Sequence, residues 1–211
     1  MTIHKVTAFI TRERPQGRQL LLFQHPQAGV QIPAGTVDEG EDWQTAVVRE
    51  AHEETGLTQL TIHRYLGQVE NELAAGEAIL NQDSHIFSQP NTDSIPFAPL
   101  FTRGMTFEVG DAVEGWNGRF HHVTYLEYDQ LPNPTKIMLH IDGWLPEECL
   151  SWRKTRHYVH LHCHEETAAR WTLPGDRDHT FAPFWADLQP KPAIVHPQNR
   201  WLDDVYDQLI R

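Results

Sequence analysis

The sequence predicts an α/β fold, and three features of its patterning support this. Segments rich in β-branched and aliphatic residues, separated by Pro and Gly, predict strands early in the chain: His4–Thr11, Gln19–Gln24 and Val30–Ile32. Helical periodicity follows at Trp43–Thr55 and returns in the amphipathic segment Gln198–Ile210. Strict alternation then predicts a strand over Tyr158–His164. Strands mixed with helices in this way indicate an α/β fold.

The helix at residues 43–55 has local signals at both ends. The loop Pro33–Glu41 leads to Asp42, a residue type that caps helix N-termini by accepting a backbone N–H. Gly56 suits the left-handed conformation that ends many helices. Other expected elements are strands at Thr61–Val69, Phe120–Tyr128 and Phe184–Leu188, and a short helix over Trp144–Trp152 opened by Pro146.

Residues 70–118 give no clear pattern beyond the short stretch Gly104–Val109. A structureless segment of this length is rare inside a compact domain. We therefore predict one domain over residues 1–211, with an insertion of uncertain structure at about 70–118.

Composition and charge limit the partners that this protein can have. The formal net charge is −12 and the basic residues are scattered, so we expect neither nucleic acid nor membrane surfaces as partners. No apolar run approaches a membrane span, and the start Met1–Lys5 lacks the apolar segment of a signal peptide, so we expect no secretion signal. With only Cys149 and Cys163, the expected location is the cytoplasm with both thiols reduced. An anionic substrate would need a bound divalent cation against this charge.

Three glutamates lie where the helix 43–55 should face the core. At about 100° per residue, Glu50 and Glu54 align with Trp43 and Val47, and Glu53 lies beside them. Like charges at this spacing repel, and carboxylates turned toward a core lose solvation. Oxygen ligands suit Mg²⁺ or Mn²⁺, so a metal site is one interpretation. A solvated acidic face is the other.

The spacing of these residues resembles the Nudix box. Gly35 is followed by five residues, Glu41, seven residues, and then Arg49-Glu50-Ala51-His52-Glu53-Glu54-Thr55-Gly56-Leu57. Only Ala51 is smaller than the aliphatic residue usual at its place. The resemblance implies the α/β/α sandwich of that family, with a mixed sheet. It also implies Mg²⁺- or Mn²⁺-dependent hydrolysis of a phosphoanhydride bond in a nucleoside diphosphate derivative.

The resemblance also implies roles for the matching positions. Glu50 and Glu54 would bind the metal together with the backbone carbonyl of Gly35. Glu53 would be a further ligand or the base that prepares the attacking water, and Glu50 and Glu53 are the expected catalytic residues. Glu41 and Arg49 would pair to hold the loop on the helix, which Gly56 would end.

The substrate is expected to be a small nucleotide derivative such as an ADP-ribose-like compound or a nucleotide sugar. The run Gln31–Gly35 resembles the ADP-ribose pyrophosphatase branch, but the proline that this branch usually carries after the box is absent. The alternatives are a non-catalytic nucleotide-binding regulatory module of Nudix fold and an isomerase of an isoprenoid diphosphate. The insertion at Glu70–Gly118 is interpreted either as a lid or as a contact of a homodimer.

Histidines and tryptophans offer two further candidate sites. His160, His162 and His164 share one face of the strand 158–164, whereas Cys163 points to the other face. Zinc binding, a polar strand face and histidines that face a phosphate are the interpretations considered. Five tryptophans are candidates for base stacking or for the aromatic core: Trp116, Trp144, Trp152, Trp171 and Trp185.

Overall fold

The computed structural model describes residues 1–131, 133–175 and 180–211. The chain forms two compact units. We call the first the helix unit, made of Lys5–Gln68, Gln130–Asn133 and Arg156–Arg211. We call the second the inserted unit, made of Met1–His4, Val69–Asp129 and Pro134–Thr155.

The helix unit is built on an eight-stranded sheet in the order β12-β13-β2-β1-β11-β5, with β3 paired to β2 and β4 paired to β1. The strands are β1 (Thr2–Arg14), β2 (Gly17–His25), β3 (Gly29–Gln31), β4 (Ala34–Thr36), β5 (Leu60–Glu72), β11 (Arg153–Cys163), β12 (Leu173–Pro174) and β13 (Thr180–Asp187). β2 runs antiparallel to both β1 and β13. Thr7 of β1 contacts Arg156 of β11, and Thr11 contacts His160. The residue numbers increase in the same direction along both strands, so β1 and β11 run parallel. The predicted mixed sheet is confirmed.

One helix covers each face of this sheet. Helix α1 (Trp43–Thr55) packs on the inward side chains of β1 and β11, a buried cluster that includes Ala8, Val47 and Leu161. Helix α2 (Gln198–Leu209) buries Leu202, Val205 and Leu209. It lies on the opposite face, where Trp201 stacks over Arg156 at 3.8 Å and Asp204 accepts a hydrogen bond from Tyr158 at 3.4 Å. The predicted α/β/α sandwich is therefore confirmed.

The inserted unit is a five-stranded antiparallel sheet in the order β10-β6-β7-β8-β9. Its strands are β6 (Glu77–Leu80), β7 (Thr106–Gly115), β8 (Gly118–Tyr128), β9 (Ile137–Pro146) and β10 (Leu150–Ser151). Phe101, Phe107, Val123 and Leu145 are central to its core. The structured insertion thus extends to Thr155, beyond the predicted boundary near residue 118. That residues 1–211 act as a single domain stays a prediction.

Two local predictions were wrong. Residues 144–152 do not form a helix, because β9 continues to Pro146, a 3-10 turn follows at Glu147–Cys149, and β10 begins at Leu150. Pairing with β8 keeps this segment extended, with Phe120 opposite Pro146. The loop predicted for residues 33–41 contains the short strand β4. Within the described ranges, no helix is long and apolar enough to cross a membrane.

Candidate active site

Helix α1 begins and ends at the residues that the sequence indicates. The Asp42 side chain accepts the N–H of Thr45 at 2.7 Å, and Asp42 itself is extended, as an N-cap requires. Gly56 has a φ of 75° and donates its N–H to the carbonyl of His52 at 2.7 Å. Burial of Ala46, Val47 and Ala51 sets the rotation of the helix about its own axis.

Two helix carboxylates hold the strand that contains Gly35. The N–H of Ala34 donates to Glu54 Oε2 at 2.8 Å, and the N–H of Thr36 donates to Glu50 Oε1 at 3.0 Å. Gly35 lies between these two hydrogen bonds. The antiparallel pairing of β4 with β1 also holds this strand in place. A Cβ at position 35 would stand 1.9 Å from Cδ of Glu50, so only glycine admits this carboxylate. The structure therefore brings Gly35, Glu50 and Glu54 together.

Arg49 connects the loop to the helix. It donates two hydrogen bonds to Glu41, from Nε at 3.0 Å and from Nη2 at 2.8 Å, in the forked geometry that guanidinium and carboxylate favour. It also donates to the carbonyl of Thr36 at 2.9 Å and to Glu50 Oε1 at 3.0 Å. Glu41 in turn accepts the N–H of Asp38 at 3.0 Å. Arg49 thus fixes both the loop and one carboxylate of the Gly35 pair.

The three glutamates of the helix differ in exposure, and Glu54 is half-buried. The Glu50 side chain is 14% exposed, whereas that of Glu53 is 54% exposed and meets Arg49 at 3.2 Å. Glu53 thus lies at the solvent edge of the stripe that continues the apolar face of α1. A water molecule can reach the carboxylate of Glu53 without displacing protein atoms.

The electrostatics of the site oppose an uncompensated negative charge at Glu50. Burial raises the pKa of Glu50, with a smaller contribution from the charge of Glu53, although Arg49 and the N–H of Thr36 act in the other direction. The hydrogen bonds from Arg49 lower the pKa of Glu41, which keeps that carboxylate ionised and structural. A cation at Glu50 would remove the cost of its buried charge.

The donor set fits a hard cation that retains several waters. Among the described residues, no three His, Cys, Asp or Glu side chains are placed to hold one ion together. Glu50 and Glu54 lie on either side of Gly35, so their two carboxylates are the protein oxygens that the structure places beside it. Mg²⁺ is typically bound through one or two carboxylates and completes its shell with water and substrate oxygens.

Some contacts of the site have no sequence motif. Thr36 is adjacent to Gly35 but was not predicted as a partner of Arg49 and Glu50. Trp171 donates its indole N–H to the carbonyl of Thr55 at 2.8 Å and so braces the end of α1. Trp185 is 7% exposed in the same core, whereas Trp116 is 88% exposed in the inserted unit. For Trp171 and Trp185 the structure therefore favours packing over base stacking.

Comparison with known proteins identifies the family. The NUDIX domain model matches residues 3–147, more than half of the chain, including Gly35 and all of α1. No curated protein matches the chain. Among solved structures, the crystal structure of the C. elegans Ap4A hydrolase is similar with a TM-score of 0.44 and 15% identity, over 99% of each chain. This chain belongs to the NUDIX domain family, and its enzyme class is that of the Nudix pyrophosphohydrolases.

Proposed function

We propose that this protein hydrolyses a phosphoanhydride bond in a nucleoside diphosphate derivative, with Mg²⁺ or Mn²⁺ bound at Glu50, Glu54 and the carbonyl of Gly35. The observation that carries the proposal is the placement of two helix carboxylates on the two sides of Gly35, one of them largely buried. Burial raises the pKa of Glu50, which means that burial disfavours its ionised form. A residue with only a structural role would gain nothing from a charge at such a position.

The negative charge of the protein favours a bound cation at the site of an anionic substrate. Nucleoside diphosphate derivatives are anions, and the chain carries a net charge of −12. A divalent cation held by Glu50, Glu54 and the carbonyl of Gly35 would attract the diphosphate, polarise its phosphoryl oxygens and lower the pKa of coordinated water. ADP-ribose-like compounds and nucleotide sugars are the substrates that we propose to test first.

Two residues of the helix are proposed to have separate roles beside the metal ligands. Arg49 holds the loop through Glu41 and restrains the Glu50 carboxylate, so the oxygen donors are positioned before substrate binds. Glu53 is exposed beside them and is the residue that we propose as proton acceptor for the attacking water.

The proposal is tested with a substrate panel in the presence of Mg²⁺ or Mn²⁺. The panel contains ADP-ribose, nucleotide sugars, NADH, dinucleoside polyphosphates and nucleoside triphosphates, and products are identified by mass. We expect one class to be cleaved into two phosphate-bearing products, with cleavage abolished by EDTA. An equal-mass product would instead indicate isomerisation, and binding without turnover would indicate a regulatory module.

Two matched variants assign any activity to the site. Glu54→Gln retains an oxygen that can accept the N–H of Ala34 but removes the charge, so the fold should persist while turnover falls by at least about 10²-fold. Glu39→Gln makes the same change at an exposed position of the preceding loop and should leave turnover unchanged. Equal activity in both variants would refute the site assignment.

A further inference from the structure

Helix α2 carries one polar residue on its buried face. The buried residues of α2 recur at i, i+4, i+7 and i+11, which places them on one side of the helix: Gln198, Leu202, Val205 and Leu209. Three of them are aliphatic, whereas Gln198 carries an amide and is only 9% exposed. A buried amide costs free energy unless it is hydrogen-bonded, and an aliphatic side chain would pack there without that cost. The hydrogen bond that Gln198 makes therefore decides its role.

The side chain of Gln198 binds the backbone just before the carboxylate site. Its Oε1 accepts the N–H of Ile32 at 2.5 Å, a contact between residues 166 positions apart. Ile32 is fully buried and directly follows β3, so water cannot replace the amide as acceptor. Removal of this oxygen would leave a buried N–H unsatisfied unless the segment moves.

The residues before α2 hold the same strand. The N–H of Val195 donates to the carbonyl of Val30 at 3.0 Å. Gly29, at the start of β3, lies so close to Val195 that an added Cβ would stand 2.5 Å from Cγ1 of that valine. We call residues 195–198 the C-terminal anchor. The anchor contacts the first two residues of β3 and the chain just beyond its last residue.

The chain between the C-terminal anchor and the carboxylates is short. Only Pro33 separates Ile32 from Ala34, whose N–H donates to Glu54. The carbonyl of Pro33 accepts the N–H of Ala8 at 2.8 Å, so this residue is restrained as well. Two residues span at most about 7 Å, so a shift at one end of this segment reaches the other. The C-terminal anchor therefore fixes one end of the segment that enters the carboxylate site.

We infer that Gln198 is a positioning residue of the metal site, because its bond to Ile32 sets where the segment containing Gly35 lies against Glu50 and Glu54. The inference rests on the proposed function, in which the carbonyl of Gly35 and the two carboxylates bind Mg²⁺ or Mn²⁺. Gln198 acts through the backbone and is not itself a ligand. Replacement of residues that orient the ligands of a metal typically weakens metal binding by about 10–100-fold.

The experiment measures metal binding in the absence of substrate. Metal-stripped protein is titrated with Mn²⁺, and the free ion is followed by electron paramagnetic resonance. Gln198→Leu removes the acceptor but keeps a side chain that packs on the buried face, and the Kd for Mn²⁺ should rise about 10-fold. Gln198→Asn keeps the amide but shortens the side chain by one methylene, so the Kd should rise in the same direction. Gln198→Glu keeps an oxygen at the same reach and should bind Mn²⁺ nearly as tightly as the wild type.

Tyr206→Phe is the matched control. It removes a hydrogen bond of 2.8 Å from the same helix to the carbonyl of Leu188, which follows β13, and it keeps the ring. The Kd for Mn²⁺ should not change in this variant. Unchanged affinity in both Gln198→Leu and Gln198→Asn, or an equal loss in Tyr206→Phe, would overturn the inference and leave the proposed hydrolysis intact. A wild-type protein that binds no Mn²⁺ would contradict the metal site itself, and this inference with it.

Discussion

Gly35→Ala should abolish catalysis while sparing the fold. The added Cβ would lie 1.9 Å from Cδ of Glu50 and about 2 Å from both carboxylate oxygens. An ordinary contact begins at 3.4 Å, so the carboxylate must retreat by about 1.5 Å. The carboxylate is the end of a flexible side chain, so rotation of the Glu50 side chain can move it away. It then loses the hydrogen bond from the N–H of Thr36.

The two consequences of this displacement differ in size. A hydrogen bond to a charged group contributes about 1.5–3 kcal/mol, and release of the partly desolvated carboxylate offsets some of that loss. We therefore expect the free energy of unfolding to fall by at most about 2 kcal/mol. Misplacement of a positioned catalytic group by about 1 Å costs roughly 10²-fold in rate, so kcat should fall at least that far.

Gly40→Ala provides the matched control for this substitution. Gly40 lies in the loop that follows β4 and has a φ of 77°, but no atom lies within 4 Å of a Cβ built there. Alanine at position 40 should cost about 1 kcal/mol of stability through its left-handed backbone and leave kcat unchanged. The assays are urea denaturation and metal-dependent turnover. A Gly35→Ala enzyme with wild-type kcat would refute the proposed geometry.

Three further predictions concern the same helix. Arg49→Met removes the forked bonds to Glu41 and should lower the free energy of unfolding by about 2 kcal/mol in urea at pH 7. Because the pKa of Glu41 is lowered in the folded state, this loss should shrink as the pH falls toward 3. Burial raises the pKa of Glu50 in the folded state above its value in the unfolded chain, which is about 4. As the pH rises above that value, the metal-free wild-type protein should therefore lose stability relative to Glu50→Gln. Saturating Mg²⁺ should reverse that difference in thermal melts. Asp42→Ala removes the N-cap bond to Thr45 and should lower the melting temperature in the same melts.

Local signals predicted the helix α1 well. Its start at Trp43 and its end at Thr55 follow from Asp42 and Gly56, whose effects on the backbone act within one turn. The pairing of Glu41 with Arg49 was different, because it depends on how a loop of several residues folds back on the helix. It was expected only from the resemblance to the Nudix box.

Contacts between distant strands were beyond prediction from one sequence. His63 lies 97 residues before His160 and becomes its neighbour only through the pairing of β5 with β11. The inserted unit is also held by contacts between segments without periodicity, such as the backbone bonds that join Ser84 to Phe101 and Phe87 to Trp144. Such pairings leave no regular pattern in either segment.

If the protein is a hydrolase, water directed by the carboxylate site cleaves the phosphoanhydride bond of the substrate. The most direct measurement is the mass of the products formed from the cleaved compound of the panel in ¹⁸O-labelled water with Mg²⁺. We predict two phosphate esters, one carrying a single ¹⁸O atom. We expect none of these products with EDTA, and at least about 10²-fold slower formation with Glu54→Gln. Unlabelled products of unchanged total mass would contradict hydrolysis, and labelled products formed equally well by Glu54→Gln would contradict the assignment of the site.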